Sequence, residues 1–208
     1  MCNKVNTSNF ILWASVIFSV LYMFLGPKQD GALVDNTFEA LKFFTVESNL
    51  FIGIVAFISY LYNKRGKNPL WLTVLKYVAT GSVALTFFTV VFYLGPLIGI
   101  LSLLVGPNLY MHLITPVLAM IYFIFIEPRT DEFKFKHTFL CPLPCLIYGV
   151  GYITNVALTN GYGTTQNDWY AFGTFGLGIG IAVFGVMIIF MYGIGVGLYF
   201  AHKKVKRS

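Results

Sequence analysis

Six apolar runs divide this chain of 208 residues. They cover 10–25, 41–62, 70–94, 109–126, 139–158 and 171–201. A helix that crosses a bilayer needs about 20 mostly apolar residues. The stops between runs are sharp: Gly26-Pro27, Lys64-Arg65-Gly66-Lys67, Gly95-Pro96 and Glu127-Pro128. Proline and glycine at such points end or bend a helix. The runs are continuous rather than alternating, so they read as helices and not as barrel strands. Composition agrees, with 57% hydrophobic and 11% charged residues, against about 25% charged in soluble proteins. The sequence predicts an all-α integral membrane protein: one domain, 1–208, of six transmembrane helices. The first run is longer than a signal-peptide core and lacks a small-residue cleavage site, so it is expected to be retained.

Orientation follows from lysine and arginine. Lys4, Lys64, Arg65, Lys67, Arg129, Lys134, Lys136, Lys203, Lys204, Lys206 and Arg207 fall on one side of a six-span plan. The opposite loops hold Lys28, with Lys42 at the mouth of the second span. Both termini are therefore expected in the cytoplasm of a multi-pass cell-membrane protein, with Asp30, Asp35, Glu39 and Asp168 facing outward. The net charge of +6 sits at the ends of apolar runs. Its expected partner is the anionic headgroup layer at the cytoplasmic face, not nucleic acid. The uncharged connection 95–108 is too short to span. It is expected to lie in the outer interface, or to re-enter it, as a short segment between helices 3 and 4.

Two polar stretches interrupt the apolar pattern. A charge at mid-helix in a bilayer costs on the order of 3 kcal/mol, so polar groups there invite a functional reading. The first stretch is Phe43-Phe44-Thr45-Val46-Glu47-Ser48-Asn49, and the second is Asn108 through Pro116 with His112 inside it. On a helical wheel Thr45, Ser48 and Asn49 share a face, with Lys42 beside it and Glu47 pointing elsewhere. Asn108, His112, Thr115 and Pro116 share a face of the fourth span. Both spans run inward from the same surface, and Thr45 and His112 lie at similar depth.

A threonine hydroxyl becomes a nucleophile when a base takes its proton, and neutral imidazole suits that task. Attack on an ester carbonyl would give an acyl-enzyme that water releases. Asn49, Asn108 or Lys42 would offer donors to the developing oxyanion, with Ser48 in support. Each residue also has a purely structural reading. Thr45 would bond a carbonyl of its preceding turn, His112 and the two asparagines would link helices, Lys42 would snorkel, and Glu47 would pair with Lys42. Pro116 reads as a kink. His137 and His202 flank basic segments and read as solvated. The inner halves of the spans read as apolar apart from scattered Thr and Ser, which counts against a transporter or channel; a non-catalytic membrane partner is the other alternative. The glycines of the last span, from Gly173 to Gly197, read as close-packing positions. Cys141 and Cys145 read as buried structural thiols. The pattern holds no metal site and calls for no cofactor.

The segment Phe44-Thr45-x-x-Ser48-Asn49 at the start of the second span, followed by Asn108-x3-His112-x3-Pro116 at the start of the fourth, resembles the androgen-induced-gene family. That family includes the androgen-dependent TFPI-regulating protein and small bacterial membrane relatives. The resemblance spans roughly residues 10 to 201. It implies an intramembrane threonine hydrolase that cleaves lipid esters, in animals those of hydroxy fatty acids. Its nucleophile falls on Thr45 and its histidine on His112, and the partner it implies is a lipid or fatty-acyl ester. The short third-to-fourth connection and the Ser48-Asn49 pair are closer to the bacterial branch.

Overall fold

A computed structural model describes residues 2–27, 38–164 and 166–205. The charges Lys28, Asp30 and Asp35 between the first two spans, and the tail charges Lys206 and Arg207, lie outside them. The described residues are helical with no strand, and six helices are long and apolar enough to cross a membrane. These are α1 (Cys2–Leu25), α2 (Phe44–Lys64), α3 (Leu70–Leu97), α4 (Pro107–Ile126), the span Phe135–Thr159, whose α-helical part is α5 (Leu143–Thr159), and α6 (Leu177–Lys204).

The boundaries differ from the sequence reading for local reasons. α1 begins eight residues early because Thr7 and Ser8 donate back to the carbonyls of Asn3 and Lys4. Polar residues thus stay in the helix without orphan hydroxyls. α5 starts late, after a 3-10 turn over Phe135–Leu140. Pro142 and Pro144 fit only around the first turn, where no intrahelical N–H is needed. α6 starts at Leu177, not 171. Ala171 and Gly176 are left-handed (φ 57° and 96°), and the chain before α6 winds around Asp168. That carboxylate accepts the Tyr152 hydroxyl and the backbone N–H groups of Gly163 and Gly173.

Three turns of α3 and α4 open into π geometry: Val90–Leu94, Tyr110–Ile114 and Tyr122–Ile126. Each is followed by one residue and then a proline: Gly95-Pro96, Thr115-Pro116 and Glu127-Pro128. A proline ring clashes with the carbonyl four residues back and removes a donor. The residue before it answers by reaching one carbonyl further: Gly95 N–H donates to Val90, Thr115 to Tyr110 and Glu127 to Tyr122.

α3 is the central helix, with 61% of its best apolar window buried against 22–44% for the others. On one side it meets α1, α2 and α4 through Leu12, Ile52, Leu72, Val83 and Ala119. On the other it meets α4, α5 and α6 through Tyr77, Phe123, Cys141 and Met191. Glycines permit the second contact. A Cβ on Gly81 would lie 2.3 Å from Cys141 Sγ, and one on Gly195 would lie 2.7 Å from Cys141 Cβ. Cys141 and Cys145 are buried free thiols, as expected.

Candidate functional site

The polar faces of α2 and α4 meet. Asn49, fully buried, donates from Nδ2 to the Thr45 carbonyl (2.8 Å) and across to the Met111 carbonyl of α4 (3.0 Å). Ser48 donates to the Thr45 carbonyl (3.1 Å) and lies 3.2 Å from the Thr86 hydroxyl of α3. Together these bonds fix the first turn of α2 against α4, next to His112. Glu47 points away and is exposed, as the wheel predicts.

His112 is 3% exposed and sits inside the π turn that Pro116 imposes. Its Nδ1 lies 2.7 Å from the carbonyl of Leu103. A carbonyl only accepts, so Nδ1 carries the proton and Nε2 holds the lone pair in the neutral ring. Leu103 belongs to a 3-10 turn over Ile100–Leu104, within the uncharged connection between helices 3 and 4. That segment therefore orients the imidazole. Asn108, 3% exposed, lies one turn earlier, and its Nδ2 is buried with no hydrogen-bond partner among the described residues.

The sequence-predicted residues divide accordingly. Thr45 is half-buried, and among the described residues its hydroxyl makes no hydrogen bond, to its preceding turn or to His112. The site thus brings the two turns together while leaving the Thr45 hydroxyl and the His112 ring unbonded to each other. Asn49 is not available as an oxyanion donor, because both described amide bonds go to backbone carbonyls; the Asn108 amide, with no partner among the described residues, remains available. Lys42 faces Glu39 at 3.5 Å rather than Glu47, and its ammonium lies over the rings of Trp169 and Phe43 at 5.6 and 5.7 Å. The chain around Asp168 packs on this end. The Phe44 N–H donates to the Tyr170 hydroxyl (2.9 Å), and Tyr148 donates to the Lys42 carbonyl (2.6 Å).

Between α2 and α5 a lateral cavity of about 550 Å³ opens beside this turn. Phe44, Phe51, Tyr148, Tyr152 and Trp169 form walls, and Lys42, Glu47 and Ser48 also line it. Thr45 does not, although Ser48 links the lining to the Thr45 carbonyl.

At the other end of the bundle the structure corrects the reading of an apolar interior. Lys76, on the second turn of α3, has its Nζ 2.5 Å from Glu127 Oε2 and also donates to Asn9 Oδ1 of α1. The side chains of Lys76 and Glu127 are 3% and 1% exposed. Glu127 was visible only as a helix stop, and Lys76 as one charge in a long apolar run. His202 is likewise corrected: it is fully buried, not solvated, with Nδ1 2.8 Å from the Phe123 carbonyl and its ring stacked on Phe123. His137 is half-buried against Phe133. Thr115 pairs with Ser15 of α1 at 2.9 Å. No group of three or more potential metal ligands occurs among the described residues.

No protein-family model, no curated protein and no solved structure matches this chain. The resemblance to the androgen-induced-gene family rests on the motif residues around Thr45 and His112.

Proposed function

We propose that the chain is an intramembrane lipid-ester hydrolase of the androgen-induced-gene type, with Thr45 as nucleophile and His112 as base. The observation that carries this reading is the orientation of His112. Its Nδ1–H is held by the Leu103 carbonyl, which leaves Nε2 as the proton acceptor in a nearly dry site. A base fixed by a second group, on a turn packed against the one that carries a hydroxyl with no hydrogen bond among the described residues, supports a nucleophile–base pair. Catalytic hydrogen bonds are often longer before substrate arrives, so an open Thr45–His112 gap is compatible with it.

In the reaction, Thr45 Oγ attacks the ester carbonyl carbon as His112 Nε2 takes the hydroxyl proton. The carbonyl oxygen becomes an oxyanion, and Asn108 Nδ2, which has no partner among the described residues, donates to it. The tetrahedral centre collapses, the C–O bond to the leaving alcohol breaks, and His112 returns the proton to that oxygen. Water, deprotonated by His112, then attacks the acyl carbonyl; the bond to Thr45 Oγ breaks, His112 returns the proton to Oγ, and the free acid leaves. The positive-inside pattern puts both termini in the cytoplasm and the Thr45 end in the outer leaflet of the cell membrane. Helices 3 and 4 are then joined by a segment in the outer interface.

A fluorophosphonate probe tests the proposal. It is expected to label the wild type, and Thr45→Ala and His112→Ala are expected to abolish labelling while the protein still melts cooperatively. Labelling that persists in Thr45→Ala removes the claim. A second reading draws on the Lys76–Glu127–Asn9 centre. Buried charges within a bundle mark ion paths in transporters, and proteoliposome flux abolished by Glu127→Gln but unaffected by Thr45→Ala would favour that function instead.

A further inference from the structure

Glu47 is a carboxylate exposed on the flank of a helix that enters the bilayer, and no salt bridge engages it among the described residues. An unpaired charge facing lipid is costly, so a partner from outside the chain would be favoured. The cavity that Glu47 lines has three further properties. Lys42, five residues earlier, lines it too and brings the opposite charge. Aromatic rings make up much of the wall, and Phe44 and Tyr148 meet edge to face at 5.2 Å beside Glu47. The opening faces sideways, since Ile147 at its rim is 71% exposed and Gly151 is exposed as well.

We propose that this groove binds the headgroup of a zwitterionic phospholipid, with Glu47 receiving the ammonium and Lys42 the phosphate. Carboxylate and aromatic faces together suit a substituted ammonium ion. The Trp169 ring is occupied by Lys42 itself, which leaves the Phe44 and Tyr148 rings for the ligand. A lysine supplies a point charge to a phosphate. Phe51 and Ile147 continue the groove as an apolar track for one acyl chain. The cavity volume falls within the range of small-molecule sites, roughly 300–1,000 Å³. Lys42 lies 3.5 Å from the exposed Glu39, a surface pair that a phosphate can displace; an anionic lipid would satisfy Lys42 in that way but leave Glu47 facing a like charge. The binding site stands whether or not Thr45 is a nucleophile.

Trp169 lines the groove and reports on it. With Trp13→Phe and Trp71→Phe it is the sole tryptophan, since the chain has three. The protein is reconstituted in vesicles that carry brominated-chain phosphatidylcholine or brominated-chain phosphatidylglycerol at matched mole fractions. Phosphatidylcholine is expected to quench Trp169 at a several-fold lower mole fraction than phosphatidylglycerol. Glu47→Gln and Lys42→Met are each expected to bring the ratio close to one. Equal quenching by the two lipids in the parent overturns the proposal, and so does a preference that survives both substitutions. Thr45→Ala is expected to keep the lipid preference while losing fluorophosphonate labelling. A parent that shows labelling but no lipid preference sinks the groove and spares the hydrolase, and the converse result does the opposite.

Discussion

Replacing Lys76 with methionine keeps its length and apolar stem but removes the ammonium. Glu127, 1% exposed, then loses the ammonium that lay 2.5 Å from its carboxylate. Breaking a buried pair by deleting one partner costs about 3–5 kcal/mol, because the remaining charge cannot return to water. In a protein of this size each kcal/mol moves the midpoint by about 2–4 °C, so the expected drop is roughly 6–20 °C. The double variant Lys76→Met/Glu127→Leu removes both charges and leaves the Asn9 amide oxygen without the ammonium, which costs about 1–3 kcal/mol. It is therefore expected to melt several degrees above the single variant despite carrying one more change. Cys141 and Cys145 are buried, so a thiol-reactive fluorophore in detergent reads the transition directly once Cys2 is replaced by serine. A double variant that melts at or below Lys76→Met refutes the idea that the buried carboxylate left behind by the lost ammonium is the damage.

The remaining expectations concern packing, catalysis and pH. Gly81→Ala and Gly195→Ala each force a methyl into Cys141, at a cost of about 1–3 kcal/mol. Adding Cys141→Ala is expected to restore the midpoint of Gly81→Ala, whose clash is with Sγ, but not of Gly195→Ala, whose clash includes Cβ and the Tyr77 hydroxyl. Asn108→Ala removes an amide that has no partner for its Nδ2, so it is expected to lower lipid-ester hydrolysis by about 10²–10³-fold with little change in melting; loss of stability without loss of rate would make Asn108 structural. Burial acts to raise the Asp168 carboxyl, but hydrogen bonds from Tyr152, Gly163 and Gly173 outweigh it and hold the group below its ordinary value of 3.8. A depressed carboxyl stabilises above that value and loses its contribution as pH falls through the lower folded one. Trp169 fluorescence is thus expected to show an acid transition below about pH 4 that Asp168→Asn abolishes.

The six spans were legible because each stop is chemical: a proline, a glycine or a cluster of positive charge. The meeting of α2 with α4 was legible because a wheel groups Ser48 with Asn49 and Asn108 with His112. The partners of those groups were not. A wheel shows that Asn49 faces inward, but the carbonyl it finds belongs to Met111 on another helix. Lys76 escaped notice because one charge barely lowers the mean hydropathy of a long apolar run, and its partner Glu127 already explained itself as a helix stop. His202 sits among tail lysines in sequence, yet α6 continues far enough to bring its ring against Phe123.

Both polar centres depend on α4, and in both the backbone has left α geometry for the same reason. Inside a bilayer a backbone group freed by proline cannot turn to water, so the chain must re-satisfy it internally. Thr115 and Glu127 do so by reaching back five residues, which widens the turns that hold His112 and precede Glu127. π turns recur at functional sites, and here their cause can be read from the two X-Pro pairs. The residue before the first proline pairs with Ser15 of α1, and the residue before the second takes the ammonium of Lys76. Proline therefore sets where α4 departs from regularity, and side chains on α1 and α3 hold the departure in place. The imidazole of His112 in one such turn and the carboxylate of Glu127 just past the other are thus both placed by proline.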